Sequence, residues 1–596
     1  MVPSGTTRRQ FVLGSAGGIA GAGLNARTQA RPNVILILTD DQGYGDLSCH
    51  GNPAVKTPNI DRLYGQSVRL TDFHVAPMCT PTRSQLMTGR DCLANGAHRV
   101  CSGQSFIRPG IPTMAEIFSA AGYRTGLFGK WHLGDNYPHR PHDRGFQESV
   151  HHKGWGVGCV PDPWNNDYFN DLYCHNGKLQ RYAGYCTDVW FSEACRFIEE
   201  CGRRREPFFA YIATNAPHGP LFTPDKCREP YKARGMALAS FFGMIANIDE
   251  NTGKLEDLLA RTGLRDNTIL IFMTDNGATA GFNFYNAGMR GKKTDLYEGG
   301  HRVPFFLRWP AGRLRAPGDV GALAECQDVL PTLMDLCGIK AGARFDGVSL
   351  APSLRGAAQP ALGERVLVVQ YGRQPQPEFI PVAKWDSAVM WNRWRLVAGK
   401  ELFNLESDPG QKNDVAAANP KIVAKLRDRY ERWWAEIEPS LAEPVPIVIG
   451  SGREPVTCLT SHDWVDANTA NASAIRAGAR RNGPWHVRVE RAGRYEISLR
   501  RWPEEAGAAI VAGLPAHRPE DGNFPVVYPE GKALPVARAR LKAGASDETK
   551  AVRAEDRAAT FQINLAAGGT QIQTWFLSAQ GEELCGAYYT YVRRLS

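Results

Sequence analysis

The sequence predicts an α/β domain followed by a smaller all-β domain. Long apolar runs that end in polar clusters indicate strands buried on both faces, and segments with helical spacing lie between them. After residue 450 the pattern changes to alternating polar and apolar residues, which is typical of half-buried antiparallel strands. A chain of 596 residues is also too long for one compact core.

Three apolar runs are the predicted core strands of the α/β domain. In chain order they are Val34–Leu38, Pro207–Ala213 and Thr268–Met273. Polar residues follow each strand: Asp40 and Asp41 the first, His218 the second, Asp275 and Asn276 the third. Ligand sites in open α/β sheets lie just beyond the carboxyl ends of strands, so we expect the three clusters to meet at one site.

Helices and a linker complete the predicted organisation. Helical spacing in Thr113–Phe118 and Phe241–Leu259 places helices between the strands. The α/β domain is assigned to residues 31–440. Pro439, Pro444 and Pro446, followed by Gly450-Ser451-Gly452, indicate a linker, and residues 451–596 are assigned to the all-β domain. Its Trp485, Trp502 and Trp575 are expected to fill the β core or its contact with the catalytic domain rather than to bind sugars.

The first thirty residues predict export. Arg8 and Arg9 precede a short apolar segment rich in Gly and Ala, a pattern typical of a twin-arginine signal, with cleavage after Ala30. The segment is too short and too rich in glycine for a membrane-spanning helix. We therefore expect an exported protein, periplasmic or secreted, without a transmembrane segment.

The composition excludes several classes of protein. Contents of 43% hydrophobic, 10% aromatic and 22% charged residues exclude a disordered chain. A mean hydropathy of −0.34 argues against a multi-span membrane protein. The net charge of +9 is spread along the chain without a polybasic block, so we expect no nucleic-acid partner.

The most specific motif lies at residues 77–89. It contains Cys79-Thr80-Pro81-Thr82-Arg83, followed by Leu-Met-Thr-Gly, and it resembles the signature of type I sulfatases. A second family signature fits Gly122–His132, in which Phe128 is bulkier than the usual small aliphatic residue. Further blocks similar to the family are Tyr297–Pro304, Asp328–Thr332 and Glu401–Leu405. The resemblance covers Asn33–Trp434 and says little about residues 451–596.

This resemblance to formylglycine-dependent, arylsulfatase-like members of the alkaline phosphatase superfamily implies a fold and a modification. The implied fold is alkaline-phosphatase-like, with a large mixed β-sheet flanked by helices and a smaller C-terminal sheet subdomain at about residues 365–440. In the family a formylglycine-generating enzyme converts the motif cysteine to 3-oxoalanine (formylglycine), an aldehyde that is hydrated in water. Cys79 is therefore the expected modified residue.

Four residues at the strand ends predict a metal site. Asp40, Asp41, Asp275 and Asn276 offer only oxygen ligands, which favour calcium or magnesium over zinc. Calcium accepts more ligands and looser geometry, and the resemblance also implies calcium. We therefore expect one calcium ion on these residues, with the modified Cys79 as a further ligand.

The resemblance also assigns three cations to the site. Arg83, Lys130 and Lys293 match family positions at which fixed positive charge stabilises the sulfate oxygens as the S–O bond breaks. Lys292 adjoins Lys293, and an alignment shifted by one residue would exchange the two.

The two family histidines match His132 and His218, and the implied mechanism is covalent. One hydroxyl of the hydrated aldehyde attacks sulfur, and His218 or Lys293 protonates the leaving oxygen. His132 then takes a proton from the second hydroxyl, sulfate departs and the aldehyde is regenerated.

The expected function is therefore hydrolysis of sulfate monoesters, from sulfated carbohydrates or aryl sulfates. Two alternatives stay open. A phosphomonoesterase or phosphodiesterase of the same superfamily would normally carry a Ser or Thr nucleophile and two zinc ions, and a catalytically dead glycan-binding relative would lack a catalytic residue. The region His151–Tyr185 is the expected determinant of substrate specificity.

Overall fold

A computed structural model of the chain describes residues 31–373, 381–465, 467, 469–519 and 528–596. The predicted export signal at residues 1–30 lies outside the described residues. Pro32–Ser596 form a compact unit. Within the described ranges, no helix combines the length and apolar character needed to cross a bilayer.

The strands fall into two groups along the chain. The first group is β1 (Asn33–Thr39), β2 (Val68–Leu70), β3 (Phe73–His74), β4 (Arg124–Lys130), β5 (Glu148–His152), β6 (Leu172–His175), β7 (Lys178–Arg181), β8 (Phe208–Ala213), β9 (Thr268–Thr274), β10 (Phe305–Arg308), β11 (Gly318–Val320), β12 (Ala324–Glu325), β13 (Val366–Gln370), β14 (Ser387–Trp391), β15 (Trp394–Val397) and β16 (Glu401–Asn404). The second group is β17 (Ile447–Ile449), β18 (Val456–Thr460), β19 (Trp485–Val489), β20 (Gly493–Arg500), β21 (Arg538–Ala543), β22 (Ser546–Ala551), β23 (Ala559–Leu565), β24 (Gly568–Leu577), β25 (Glu583–Cys585) and β26 (Tyr589–Arg594).

The α-helices lie mainly among the first group of strands. They are α1 (Pro58–Gly65), α2 (Cys79–Thr88), α3 (Cys92–Asn95), α4 (Met114–Ala120), α5 (Cys186–Arg204), α6 (Asp225–Arg228), α7 (Met236–Arg261), α8 (Glu298–His301), α9 (Val329–Cys337), α10 (Ala351–Leu354), α11 (Pro360–Gly363), α12 (Pro420–Leu441) and α13 (Ala472–Arg476).

A large mixed sheet forms the centre of the α/β part. Among the described residues it has the strand order β11-β2-β10-β9-β1-β8-β4-β5-β6-β7. The five central strands β9, β1, β8, β4 and β5 run parallel to one another, and antiparallel strands flank them on both sides. This arrangement confirms the predicted α/β class and places five carboxyl ends side by side at one edge.

Both faces of this sheet are buried, as the continuous apolar runs predict. In β1, Val34, Leu36 and Leu38 pack into one core, whereas Ile35 and Ile37 pack into the core on the opposite face. Helices α4 and α9 contribute to the first core, and α5 and α7 to the second. The sheet is therefore a rigid support for the loops at its edge.

A smaller antiparallel sheet follows, with strand order β13-β14-β15-β16. Helix α12 packs on it through an apolar stripe that includes Tyr430 and Trp434. The proline-based expectation of a linker starting near residue 439 is wrong at its beginning, because Pro439 lies inside α12. Pro439 lacks the N–H that would bond to the carbonyl four residues earlier, yet the helix continues to Leu441, and Ile437 before it is still buried.

The C-terminal part is rich in β-structure, with α13 as its α-helix in the described ranges. One sheet has the order β17-β19-β24-β21-β22, with β25 paired to β24, and a second has the order β18-β26-β20-β23. Their facing sides enclose a separate core. Strand β17 pairs in parallel with β19, so this part begins at Ile447, ahead of the predicted boundary at 451. Trp485 and Trp502 are buried in the core, whereas Trp575 is half-buried beneath Arg540.

Candidate active site

The carboxyl ends of the parallel strands bring the predicted polar clusters together. Asp40 and Asp41 follow β1, and Asp275 and Asn276 follow the neighbouring β9. The backbone N–H of Asp41 donates to Oδ1 of Asp275 at 3.2 Å, which joins the two strand ends directly. Lys130 ends β4 two strands away, so all three strand ends face one site.

Cys79 lies at the first position of α2 beside this edge. The side chain is 2% exposed, and every residue of α2 is buried. A helix N-terminus presents unpaired N–H groups and a partial positive charge, which favours a bound anion. Burial raises the pKa of the Cys79 thiol, although the charges of Lys130 and Lys293 act against this shift.

Arg83 ties the helix to the strand ends. One turn after Cys79, its Nη2 and Nε donate to Oδ2 of Asp275 at 2.8 and 3.1 Å. Its Nη1 donates to the backbone oxygen of Lys130 at 2.9 Å. The guanidinium is fully buried, and these charge-assisted bonds fix its position.

The ammonium groups of two lysines form ion pairs with the aspartates that follow β1. Nζ of Lys130 donates to Oδ2 of Asp40 at 2.5 Å, and Nζ of Lys293 donates to Oδ1 of Asp41. Burial opposes ionisation of Asp40, but the surrounding cations, with Lys130 foremost, hold its pKa well below its usual range. Lys292 is exposed and lies over the ring of Phe282, so the structure places Lys293 rather than Lys292 at the site.

The oxygen atoms at the strand ends fit a hard divalent cation. Oδ1 of Asp40 and Oδ1 of Asn276 are buried, and neither has a hydrogen-bond partner within the described part of the chain. Burial and the charge of Asp40 raise the pKa of Asp275 to about 7, with Arg83 opposing the shift. A cation among these carboxylates would remove their mutual repulsion and supply the missing partners.

His218 borders the same cluster. Its Nε2 lies 3.6 Å from Oδ2 of Asp41, and its Nδ1 donates to the backbone oxygen of Gly219 at 2.6 Å. Oxygen atoms of Asp40 and Asp41 and a ring nitrogen of His218 lie within 4.8 Å of one another. Burial lowers the pKa of His218, although Asp41 opposes the shift.

His132 is held with one nitrogen available to accept a proton. Its Nε2 donates to the backbone oxygen of Val100 at 2.9 Å, because a carbonyl can only accept. In the neutral ring Nδ1 therefore carries the lone pair, and this atom is buried without a hydrogen-bond partner among the described residues. Burial lowers the pKa of His132, and the charges of Lys130 and His462 lower it further. His132 is thus kept neutral.

Unusual backbone conformations occur at two of these positions. Asp41 and His132 have φ values of 65° and 59°, in the left-handed region that favours glycine. Such conformations cost energy and persist where the surrounding structure enforces them, which is common at active sites. Gly129 precedes Lys130 with φ 110°, and a Cβ there would collide with the backbone oxygen of Ala213 in β8. The glycine allows β4 to approach β8 beside the site.

Two residues near the site were not singled out from the sequence. Trp155 follows β5, and its ring centroid lies 5.4 Å from that of His218. His462, from the C-terminal part, lies 6.4 Å from His132, and its Nδ1 is 2.7 Å from Oδ1 of Asp463. Trp155 falls inside the predicted specificity region, but no local pattern connects His462 to a site more than 300 residues earlier in the chain.

A second buried cluster contains His74, Glu298 and His301. The two Nδ1 atoms lie 2.9 Å apart, and Nε2 of His74 lies 3.0 Å from Oδ1 of Asp72. Arg395 donates to both Glu298 and Asp72. Because Arg395 supplies a cation between the two carboxylates, and the backbone N–H of Val75 donates to the backbone oxygen of His301 at 2.8 Å, we assign the cluster a structural role beside the loop that leads to Cys79.

The sequence was compared with family models and with known proteins, and the matches agree on one family. Residues 32–339 match a family model described as Sulfatase. The chain is 33% identical to human arylsulfatase A over 517 residues, which cover 76% of this chain and 96% of that protein. It is 30% identical to rat N-acetylgalactosamine-6-sulfatase over 356 residues, which cover 54% of this chain and 66% of that protein.

Solved structures show the same similarity. The crystal structure of Ps i-CgsB superposes with a TM-score of 0.61 at 29% identity, covering 68% of this chain and 92% of that one. The same protein in complex with k-i-k-neocarrahexaose gives a TM-score of 0.60 at 28% identity, with the same coverage.

Proposed function

Because this chain belongs to the sulfatase family of sulfate ester hydrolases, we propose that it cleaves sulfate monoesters at the strand-end site. In this proposal Cys79 is oxidised to formylglycine, and one calcium ion is bound nearby. The observation that carries the proposal is the position of Cys79, at the start of a buried helix and within reach of the charges of Lys130 and Lys293. The expected substrates are sulfated carbohydrates or aryl sulfates.

Three cations would hold the sulfate group. Arg83, Lys130 and Lys293 converge on the cluster of Asp40, Asp41 and Asp275. A sulfate monoester carries negative charge on its terminal oxygens, and more develops on the bridging oxygen as the S–O bond breaks. Positive groups fixed before the reaction stabilise that charge without reorganisation.

The histidines would move protons at two different stages of the reaction. Nζ of Lys293 and Nε2 of His218 both lie close to Asp41, and Lys293, or His218 in its protonated form, can supply the proton that the leaving oxygen needs. His132, neutral and with Nδ1 unpartnered in the described structure, is suited to accept a proton before sulfate is released.

A calcium ion and the aldehyde formed from Cys79 would complete the site. Asp40, Asp41, Asp275 and Asn276 would hold the calcium ion, which supplies positive charge for binding the nucleophile and sulfate. The aldehyde formed from Cys79 would supply a hydroxyl nucleophile when hydrated. Its formation requires a formylglycine-generating enzyme as a maturation partner.

We also propose export by the twin-arginine route to the periplasm or the medium. The proposal is supported by Arg8 and Arg9 before a short Gly- and Ala-rich segment. A sulfatase outside the cytoplasm would meet sulfated glycans directly.

The proposed function is tested by assaying matched sulfate and phosphate esters of the same alcohol. We expect kcat/KM for 4-nitrophenyl sulfate to exceed that for 4-nitrophenyl phosphate by about 100-fold or more, a difference of about 2.7 kcal/mol in transition-state stabilisation. A preference for phosphate would favour the phosphatase alternative. Glycan binding without turnover of any ester would favour the inactive relative.

A further inference from the structure

The edge of the site beyond His218 is formed by Trp155. This residue follows β5, one of the five parallel strands whose ends surround the site. The Trp155 and His218 rings have centroids 5.4 Å apart and an interplanar angle of 49°. Trp155 is only half-buried, so part of its ring surface is open to a ligand. Because His218 is a candidate proton donor to the leaving oxygen, the alcohol part of the ester would bind near Trp155.

The indole ring is held in place by the C-terminal part of the chain. Its Nε1, the only hydrogen-bond donor of the side chain, donates to the backbone oxygen of Ala470 at 3.0 Å. The backbone N–H of Val160 donates to the same oxygen at 3.2 Å, and Cys159 forms an isolated β-bridge with Asn471. The loop that carries Trp155 is therefore docked by two hydrogen bonds to Ala470, one of which belongs to this bridge, before any ligand arrives.

The start of this loop is fixed from the other side. The backbone N–H of Gly154 donates to both carboxylate oxygens of Asp135, at 3.2 and 3.0 Å. The backbone N–H of Lys153 donates to Oδ1 of Asp162 at 3.0 Å. With its polar atom satisfied and its loop anchored, Trp155 offers a flat apolar surface whose orientation costs no further entropy on binding.

We propose that Trp155 is a specificity-determining residue that contacts the alcohol part of the ester, and that it selects alcohols with a ring, either a sugar ring or a phenol. This inference rests on the proposed sulfate ester hydrolysis. A rigid aromatic face packs well against the flat face of another ring, whereas a flexible acyclic chain gains less from the same contact and loses more conformational freedom. The C-terminal part thus contributes to substrate choice by holding Trp155.

The test compares two Trp155 variants on ring and acyclic sulfate esters. For Trp155→Ala we expect KM for 4-nitrophenyl sulfate to rise about tenfold, kcat to change less than about threefold, and KM for hexyl sulfate to change little. Trp155→Phe keeps a flat face but loses the N–H that donates to Ala470, so its KM for 4-nitrophenyl sulfate should lie between those of the wild type and Trp155→Ala. Inhibition by 4-nitrophenol should weaken in parallel with KM, which separates binding from chemistry.

Trp164→Ala is the matched control. Trp164 lies in the same region, but its ring packs on Trp502, 5.6 Å away, and under Arg476. This variant should lose some thermal stability and keep the preference for ring esters. An unchanged preference in Trp155→Ala, or a folded Trp155→Phe that loses as much of the preference as Trp155→Ala, would overturn the inference while leaving sulfatase activity established. A wild-type protein that turns over no sulfate ester would overturn the proposed function itself and this inference with it.

Discussion

The two ring nitrogens of His132 have different surroundings, and this difference defines what the residue can do. Nε2 donates to Val100, and Nδ1 has no partner in the described parts of the structure. Burial and two nearby cations, Lys130 and His462, keep the ring neutral. A histidine that is neutral with a free lone pair is a competent base, whereas a protonated one is not.

The charge on His462 should therefore affect the pH dependence of turnover. Burial opposes a charge on His462, but its contact with Asp463 raises its pKa above the usual value. Replacing His462 by Gln removes this positive charge near His132, so the pKa of His132 should rise. Because turnover needs neutral His132, the acidic limb of the kcat profile should move to higher pH, by about one unit for a partly screened charge.

The measurement is a full pH–rate profile of H462Q beside that of the wild type. H486Q provides the matched control, because His486 lies in β19 and contacts Gln571. An acidic limb that stays in place in H462Q would show that His132 is not the base or that His462 carries no charge at working pH.

At the scale of secondary structure, the site depends on the ends of β1 and β9. These ends place Asp40, Asp41 and Asp275 close together, and burial together with the charge of Asp40 raises the pKa of Asp275, which a metal cation among the carboxylates would lower again. A metal bound only by the folded chain stabilises it, by about 2.7 kcal/mol when the free ion is at about 100 times Kd.

Asp275→Asn and Asp40→Ala should therefore lose calcium and activity together. Chelation should lower the melting temperature of the wild type and have little effect on these variants. Calcium affinity should also fall as the pH drops below about 7, because Asp275 must lose its proton to bind the ion. Elemental analysis combined with thermal unfolding, with and without chelator, tests these expectations.

Asp249→Asn is the matched control for charge removal. Its carboxylate accepts from the backbone N–H groups of Asn59 and Ile60 at the start of α1. This variant should keep its calcium and its response to chelator. Zinc at full occupancy in native protein would contradict the argument from oxygen ligands.

The observed strands and helices also show how much of the fold can be predicted from the sequence. Buried parallel strands leave a clear signal, because both faces must be apolar, so β1, β8 and β9 were predicted within one or two residues. Short strands such as β11 and β12 leave no such signal, since two or three residues are too few to show a pattern and their pairing with β2 and β3 joins distant segments. Pro439 misled the prediction because the packing of α12 outweighs a local helix breaker.

For the site, the sequence predicts residues in motifs and misses residues brought in by packing. Cys79, Arg83 and the strand-end carboxylates lie in short segments that a family resemblance can identify. His462 lies 330 residues after His132 in the numbering, and only the docking of the C-terminal part brings the two together. Such contacts depend on tertiary structure and leave no local pattern.

At the scale of the whole molecule, the proposed export route constrains the order of maturation. Cys79 is 2% exposed in the folded chain, so an enzyme that oxidises it needs the segment before it folds. The twin-arginine pathway carries folded proteins, so oxidation should come first, in the cytoplasm. Replacing Arg8 and Arg9 by Lys should retain the protein in the cell with the aldehyde already present at position 79.

This order is measured by mass spectrometry of the residue 79 peptide from retained and exported protein. In the matched control, the same mature chain is exported through a pathway for unfolded proteins. We expect most of this protein to carry an unmodified Cys79 and to be inactive. Plain cysteine in the retained double-Lys variant, together with aldehyde in the exported wild type, would reverse the proposed order.

The central claim is that turnover depends on an oxidised Cys79, and the most direct measurement compares the Cys79→Ala variant with native protein in mass and rate. We predict an aldehyde at position 79 in active native protein. The Cys79→Ala variant should fold and bind calcium but hydrolyse no sulfate ester. A variant that retains as much as about a tenth of the wild-type kcat/KM, or an active native protein whose Cys79 is unmodified, would contradict this claim.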